Sequence, residues 1–106
     1  MNSPMELTQA KKKLYRSIAH NLKPVLIIAD KGITEGVELE LERALEDHEL
    51  IKVKININDS AARKQVAAQL CASHRAILIQ QIGKMLVLLR PAKKPNPKLS
   101  NLLRPL

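Results

Sequence analysis

The residues best suited to bind a ligand are Asp30, Lys31 and Gly32, which separate an apolar run at residues 25–28 from an acidic segment. Thr34 can open that segment as a helix, and the free N–H groups of a helix start favour an anion. Gly32 has no Cβ, so it can adopt a positive φ and let a phosphate approach the backbone, with Lys31 supplying charge. Asp30 would repel phosphate, and an ordinary turn also uses a glycine here. The spacing alone therefore leaves phosphate contact and simple chain reversal both open.

Lys52 and Lys54 form a second candidate site because they alternate with apolar residues over residues 51–57. Such alternation is typical of a half-buried strand, and it puts both lysines on one face, roughly 7 Å apart. That separation is comparable to the phosphate spacing along a nucleic-acid strand. A solvated face that protects an edge strand would give the same pattern. If this strand neighbours the one that ends at Ala29, its lysines are expected to line an approach to Gly32.

A third group of cations lies on a predicted first helix that Thr8 opens and Pro24 ends. Its apolar residues recur every three or four positions, at Leu7, Ala10, Leu14, Ile18 and Leu22. The cations between them are Lys11, Lys12, Lys13 and Arg16. A basic amphipathic helix can lie on a membrane, but three neighbouring lysines point in different directions and the apolar stripe is narrow. A packed helix with a solvated basic face is the prediction.

No set of residues resembles a catalytic centre. His20, His48 and His74 each lie near a predicted helix end, where a histidine usually binds the last carbonyls or solvent. Cys71 is the single cysteine, which excludes an intrachain disulfide and a metal site built on paired thiols. The chain has neither a Walker loop nor the glycine motif of dinucleotide-binding folds. We therefore expect no enzymatic activity, no cofactor, no metal and no small-molecule substrate.

Charge is unevenly distributed along the 106 residues, whose formal net charge is +8. Residues 30–49 hold eight of the ten acids and two bases, a net charge of −6, and the rest of the chain carries +14. Such separation can attract and orient a polyanion. With no Trp or Phe and one Tyr, the chain lacks the aromatic surface on which an RRM stacks bases. Phosphate contacts are therefore expected to dominate over base contacts.

The remaining elements must position these residues. Residues 25–28 predict a strand buried on both faces, and the helix after Thr34 turns Val37, Leu41, Ala44 and Leu45 inward. Asp59 or Ser60 opens a third helix, and two strands at residues 76–80 and 85–89 flank a turn containing Gly83. The order α-β-α-β-α-β-β predicts an α/β two-layer sandwich with a mixed four-stranded sheet. Two crossovers pair strands in parallel, and the last hairpin adds an antiparallel edge.

Residues 1–91 are predicted to form one domain and residues 92–106 a basic, Pro-rich tail. Proline fits neither a helix interior nor a sheet ladder, so the tail is predicted to be flexible. The alternative is that Leu99, Leu102 and Leu103 dock it as a short helix. No apolar run reaches the ~18 residues of a membrane span, and the N-terminus does not resemble a secretory signal. A cytoplasmic location without membrane contact is expected.

Three stretches closely resemble the YhbY-like, or CRM-domain, RNA-binding proteins: HNLKPVLIIADKGITEGV, ALEDHELIKVKI and QQIGKMLVLLRP. The similarity covers about residues 7–91. Its specificity comes from the ordered combination of Lys23-Pro24, Gly32-Ile33-Thr34, the stretch from Glu49 to Lys54, and Ile82-Gly83-Lys84. The resemblance implies the same element order, similar to the C-terminal domain of bacterial translation initiation factor three. It also implies binding of ribosomal RNA in precursors of the large ribosomal subunit.

The family's RNA contact centres on a GxxG loop, which maps here to Ala29, Asp30, Lys31 and Gly32. Ala29 stands where the first glycine is expected. Because alanine tolerates positive φ poorly, a less open loop is expected in this chain.

The resulting hypothesis is a cytoplasmic RNA-binding protein that helps to assemble the large ribosomal subunit. Lys31 and Gly32 would contact the RNA backbone, assisted by Lys52, Lys54, Lys84 and the cations of the first helix. The rival hypothesis is a protein-interaction module whose acidic second helix docks on a basic ribosomal partner.

Overall fold

Three helices and four strands follow one another in the predicted order α-β-α-β-α-β-β. The computed structural model describes residues 7–104 of the chain. The elements are α1 (Gln9–His20), β1 (Pro24–Ile28), α2 (Glu35–His48), β2 (Leu50–Ile55), α3 (Ser60–His74), β3 (Ile77–Ile82) and β4 (Met85–Leu89).

Each helix begins at a capping residue that the sequence predicted. Thr8 and Thr34 accept hydrogen bonds from the backbone N–H groups three residues further on, at 3.1 and 3.2 Å. Asp59, rather than Ser60, caps α3 by accepting from the N–H of Ala61 at 3.2 Å. These bonds satisfy donors that helix geometry leaves unpaired, and so they fix the helix starts. Within residues 7–104, no helix is long and apolar enough to cross a membrane.

β4 lies inside the sheet between β2 and β3, which corrects the prediction that both crossovers pair strands in parallel, because only β1 and β2 do so. The last hairpin does add an antiparallel edge, as predicted, and the edge strand is β3. The strand order is β1-β2-β4-β3, with β1 parallel to β2 and β4 antiparallel to both its neighbours. β4 has no polar side chain, and Leu86 to Leu89 are all buried. Such a strand needs cover on both faces, so it takes an inner position. β3, which carries Gln80 and Gln81, forms the edge instead.

Two apolar cores lie on opposite faces of this sheet. α2 and α3 cover one face, where Leu41 and Leu70 belong to the same core as Ile51. α1 lies on the other face, where Ala19 packs in a core with Leu50. Adjacent residues of β2 thus point to different cores, as strand geometry requires. The predicted α/β architecture with its mixed four-stranded sheet is confirmed, and α1 adds a partial third layer to the two that were expected.

β1 is an edge strand with one open face, which corrects the expectation that it is buried on both faces. Ile28 is fully buried, whereas Val25 is 40% exposed and Ile27 is 59% exposed. Val25 and Ile27 alternate with residues of the α2–α3 core, so they point to the face that α1 covers only in part. The apolar run therefore contributes alternate residues to the core and to the exposed surface.

α1 is rotated relative to the predicted apolar stripe. Leu14 is 54% exposed. Leu7, Ile18 and Leu22 pack on the sheet as predicted, and Tyr15 and Ala19 pack beside them, whereas Ala10 is exposed like Leu14. An aromatic side chain removes more apolar area from water than leucine does, so the orientation that buries Tyr15 is favoured.

Residues 96–104 dock on the domain, as the alternative for the C-terminal segment required, but they form turns and not a short helix, and Leu99 and Leu103 are exposed. Ser100 Oγ donates to the buried carboxylate of Glu49 at 2.6 Å. Asn101 Nδ2 donates to a backbone carbonyl of β2 at 2.7 Å. These bonds satisfy buried polar groups on both sides of the contact, and Leu102 packs beside α1. Residues 1–6 and 105–106, parts of the predicted domain and tail, lie outside the described residues.

Candidate functional site

Three loops meet at one end of the sheet. The turn 29–32 follows β1, the segment after β2 begins at Asn56, and a two-residue turn joins β3 to β4. The N–H of Asn56 donates to the carbonyl of Ile28 at 2.6 Å, and the N–H of Ile55 donates to that of Lys84 at 2.7 Å. Lys84 Nζ donates to Asn56 Oδ1 at 3.1 Å. The structure thus joins Lys84 to the end of the sheet at which the turn 29–32 emerges.

The turn 29–32 is exposed and needs glycine at its last position. The N–H of Gly32 donates to the carbonyl of Ala29 at 2.8 Å, and Gly32 has a φ of +70°. A Cβ built on Gly32 would meet no atom within 4 Å, so the backbone angle and not crowding selects glycine. Among the described residues other than glycine, only Glu49 and Arg75 have positive φ. Ala29 does not, so this position does not require the positive φ that alanine tolerates poorly.

Lys54 lies close to this end of the sheet, and Lys52 lies two residues further along β2, towards the other end. β1 and β2 are neighbours, as the sequence hypothesis required, and Ile27 stands in register with Lys54. Both lysines alternate with core residues of the α2–α3 side, so they point to the face that carries α1. Each is half-buried, and neither makes an ion pair within residues 7–104. Their ammonium groups therefore remain available for an external anion.

A cleft of about 310 Å³ separates α1 from the sheet beside these lysines. Its helix wall and its sheet floor are formed by Arg16, Ala19, His20, Lys52, Gln80, Ile82, Met85 and Val87. Arg16 is half-buried and makes no ion pair with any described residue. Arg16 and Lys52 thus place two unpaired charges on one opening.

The structure brings together part of the predicted site. We call the set Arg16, Lys31, Lys52, Lys54 and Lys84 the basic platform. Lys12 is one helical turn from Arg16 and shares its side of α1. Lys11 and Lys13 are exposed, point in other directions and do not line the cleft. Asp30 is exposed at the turn and adds a negative charge beside Lys31.

An acidic cluster occupies the opposite side of the sheet, and its contacts were not predicted. We define it as Glu38, Glu42 and Glu46 of α2 with His74 and Arg90. Arg90 donates to Glu42 Oε1 at 2.8 Å and to Glu46 Oε2 at 3.1 Å. Hydrogen bonds from Arg90, and then from His74, lower the pKa of Glu42 from 4.5 to about 2. The four-residue spacing of the glutamates was the available sequence signal, but it does not identify partners that lie 32 and 48 positions away.

His74 is buried between two of these carboxylates, which corrects the expectation that it serves helix carbonyls or solvent. Its Nδ1 lies 2.9 Å from Glu42 Oε1, and its Nε2 lies 3.0 Å from Glu38 Oε2. The second contact has the distance of an ion pair without the alignment of a hydrogen bond, so Nε2 lacks a hydrogen-bond partner. The glutamates that the rival hypothesis offers to a basic partner thus already contact His74 and Arg90 of the same chain. That observation counts against acidic docking.

No metal-binding or reactive-thiol site is visible in the described part of the chain. Residues 7–104 contain no group of three or more His, Cys, Asp or Glu side chains placed to hold an ion. Burial raises the pKa of the Cys71 thiol above its ordinary value, which disfavours the reactive thiolate. The arrangement is suited to binding an anion on the basic platform.

Comparison with known proteins identifies relatives over most of the chain. Residues 7–90 match the family model of the CRS1 / YhbY (CRM) domain. A Pseudomonas aeruginosa protein named as a probable RNA-binding protein is 54% identical over 100 residues, covering 94% of this chain and 96% of that protein. A Haemophilus influenzae RNA-binding protein is 37% identical over 93 residues, covering 88% and 94%. The solution structure of a Staphylococcus aureus candidate RNA-binding protein aligns with a TM-score of 0.73 and 37% identity, covering 84% and 93%.

Proposed function

We propose that this chain, which belongs to the CRS1 / YhbY (CRM) domain family as its sequence predicted, is an RNA-binding protein. Its relatives in Pseudomonas and Haemophilus carry RNA-binding names over nearly their whole length. The fold is that of a solved structure assigned the same candidate role. The proposed activity is binding, without catalysis or a cofactor.

The observation that carries this proposal is the position of the basic platform. Lys31 belongs to an exposed glycine turn, Lys54 lies on the strand next to β1, and Lys52 lies two residues further from the turn on the same face. None of the three is neutralised by a described carboxylate. The central glutamates of α2 lie across the sheet and bind Arg90 and His74. A polyanion is therefore attracted to one face and repelled by the other. This geometry favours contact along the sugar-phosphate backbone.

We further propose that the RNA is ribosomal RNA in precursors of the large ribosomal subunit, bound in the cytoplasm to aid assembly. The support is the family resemblance together with a platform rich in phosphate-binding groups and poor in aromatic side chains. Folded ribosomal RNA presents a dense, shaped array of phosphates. Such a surface is recognised by shape and charge more than by sequence.

Charge reversal tests the RNA interface. The double variant Lys31→Glu, Lys52→Glu should lose most of its affinity for ribosomal RNA in a gel-shift assay, because attraction becomes repulsion at two positions of the platform. The matched control is Arg43→Glu, Lys93→Glu, which makes the same change in net charge at exposed sites away from the platform. Circular dichroism should be unchanged in both. Equal losses in the two variants would mean that net charge, and not this face, drives binding.

Sedimentation tests the proposed ribosomal target. In sucrose gradients of cell extract, the wild-type chain should migrate with immature large subunits, and crosslinked reads should cluster in one region of ribosomal RNA. The platform variant should move to the top of the gradient, while the control variant should not. Crosslinks spread over unrelated transcripts would leave RNA binding intact and reject the ribosomal assignment.

A further inference from the structure

The cleft between α1 and the sheet combines features that phosphate binding does not need. Its floor includes the side chains of Ile82, Met85 and Val87, which are apolar. Ile82 is 65% exposed. A surface that only attracts phosphates has no reason to hold apolar groups open to water beside its cations. Exposed apolar surface enclosed by polar groups is typical of a binding site.

A β-bulge gives this floor a hydrogen-bonding group. The pairing of β3 with β4 shifts between Leu78 and Gln80, so Ile79 has no partner in the register. Ile79 belongs to the core on the α1 side. Without the bulge, strict alternation would turn Gln80 to the opposite face. The bulge instead pairs Gln80 with Val87 and turns it into the cleft, the kind of re-aiming for which bulges are used near functional sites.

The amide of Gln80 is free for a ligand. It makes no side-chain hydrogen bond with another residue in the part of the chain that the structure describes, and the residue is half-buried. A glutamine amide offers a donor and an acceptor side by side, which matches the edge of a nucleobase. The neighbouring Gln81 is on the other face of β3, where it lines a separate depression with Arg63 and Lys64.

We propose that this cleft binds one unpaired nucleotide of the RNA, with its base on the aliphatic floor. The inference rests on the proposed function and adds base recognition to phosphate attraction. The base would lie between the floor and the guanidinium of Arg16, because a guanidinium plane can stack on a base where aromatic side chains are absent. Gln80 binds the base edge, and Lys52 binds the phosphate. The cleft volume of about 310 Å³ is in the range of small-molecule sites.

Two properties of the cleft favour a nucleotide over other ligands. The cations on the opening have no described carboxylate partner, so the occupant carries negative charge. Its other part is apolar on its faces and polar at its edge, as the floor and Gln80 require. A nucleotide has both properties within a few ångströms.

The first test uses NMR titration of the wild-type chain with the four nucleoside 5′-monophosphates and with ribose 5-phosphate. The monophosphates should shift the side-chain amide of Gln80 and the methyl signals of Met85 and Val87. Ribose 5-phosphate, which has sugar and phosphate but no base, should shift these signals much less, because only its phosphate can bind, at Lys52. The side-chain amide of Gln81 serves as the internal control and should not move. Equal shifts from ribose 5-phosphate would overturn base recognition.

The second test measures single-stranded RNA binding by the variant Gln80→Leu. Its affinity for the single-stranded RNA that the wild-type chain binds best should fall about tenfold, as expected for the loss of a pair of hydrogen bonds to a base edge. The slope of log affinity against log salt should stay at its wild-type value, because no phosphate contact is removed. The matched control Gln81→Leu makes the same chemical change on the other face of the strand and should bind like wild type.

The outcomes separate this inference from the proposed function. If the wild-type chain binds RNA and Gln80→Leu binds it equally well, the nucleotide site is wrong and RNA binding stands. If the wild-type chain binds no RNA at low salt, both are wrong. If the cleft signals shift with protein concentration alone and the chain dimerises in sedimentation, the cleft is an interface between copies and the nucleotide site is overturned.

Discussion

The salt dependence of RNA binding should report how many cations of the basic platform touch phosphate. Its five members are Arg16, Lys31, Lys52, Lys54 and Lys84, and none makes an ion pair within residues 7–104. At roughly 0.7 per neutralised phosphate on a single strand, five contacts give a slope of log affinity against log salt of about −3.5. Raising salt from about 50 to about 200 mM should then weaken binding about 130-fold.

The double variant Lys52→Gln, Lys54→Gln removes two of these charges while keeping side chains of similar length on β2. Three contacts remain, so the expected slope is about −2.1, and the same salt change should weaken binding only about 20-fold. Fluorescence anisotropy with a labelled single-stranded RNA over a salt series measures both slopes. Each lysine is half-buried and points away from the α2–α3 core, so a thermal melt should change little.

The control Lys93→Gln, Lys94→Gln has the same net charge as the platform variant and changes two exposed lysines outside it. Its slope should stay near the wild-type value. If both double variants flattened the slope equally, the contacts would be spread over the whole surface and the platform would have no special role. If neither did, the strand lysines would not touch phosphate at all.

Two further predictions concern stability. Gly32→Ala should lower the unfolding free energy by about 1 kcal/mol and Tm by about 5 °C, because Gly32 has a φ of +70°, which alanine adopts only with strain. The added methyl group meets no atom within 4 Å, so the loss comes from the backbone alone. An unchanged thermal melt would show that the turn relaxes to another backbone conformation. Stability should also fall between pH 4.5 and about 2, because the lowered pKa of Glu42 stabilises the fold fully above 4.5 and this contribution disappears as Glu42 is protonated. Since the Glu42 side chain is 53% exposed, the loss should be about 1 kcal/mol, and urea melts of Glu42→Gln should lack that part of the pH dependence.

Local features of the fold were predictable because their causes are local. Thr8 and Thr34 cap helices with bonds to residues three positions away. The alternation around Lys52 and Lys54 identifies a half-buried strand without knowledge of its neighbours. The hypothesis that these lysines line an approach to Gly32 required β1 and β2 to be neighbours, and the structure confirms that pairing.

Features that depend on distant residues were not predictable in the same way. β4 takes an inner position because its side chains are buried on both faces, whereas the crossover pattern alone predicted that β2 pairs with β3 in parallel. Arg90 binds Glu42 across 48 positions, and Ser100 binds Glu49 across 51. Neither partner is marked by local spacing. Gln80 was missed for another reason, because a bulge reverses the face that alternation assigns to it.

The position of Asp30 bears on which part of the platform holds the RNA most tightly. Its carboxylate is exposed in the turn itself, one residue from Lys31 and two from Gly32. A phosphate bound at the turn would approach that negative charge. On β2 no carboxylate lies between Lys52 and Lys54, because the residue that separates them is Val53. The strand lysines should therefore supply more of the binding energy than the turn, and the turn should mainly set how closely the backbone passes.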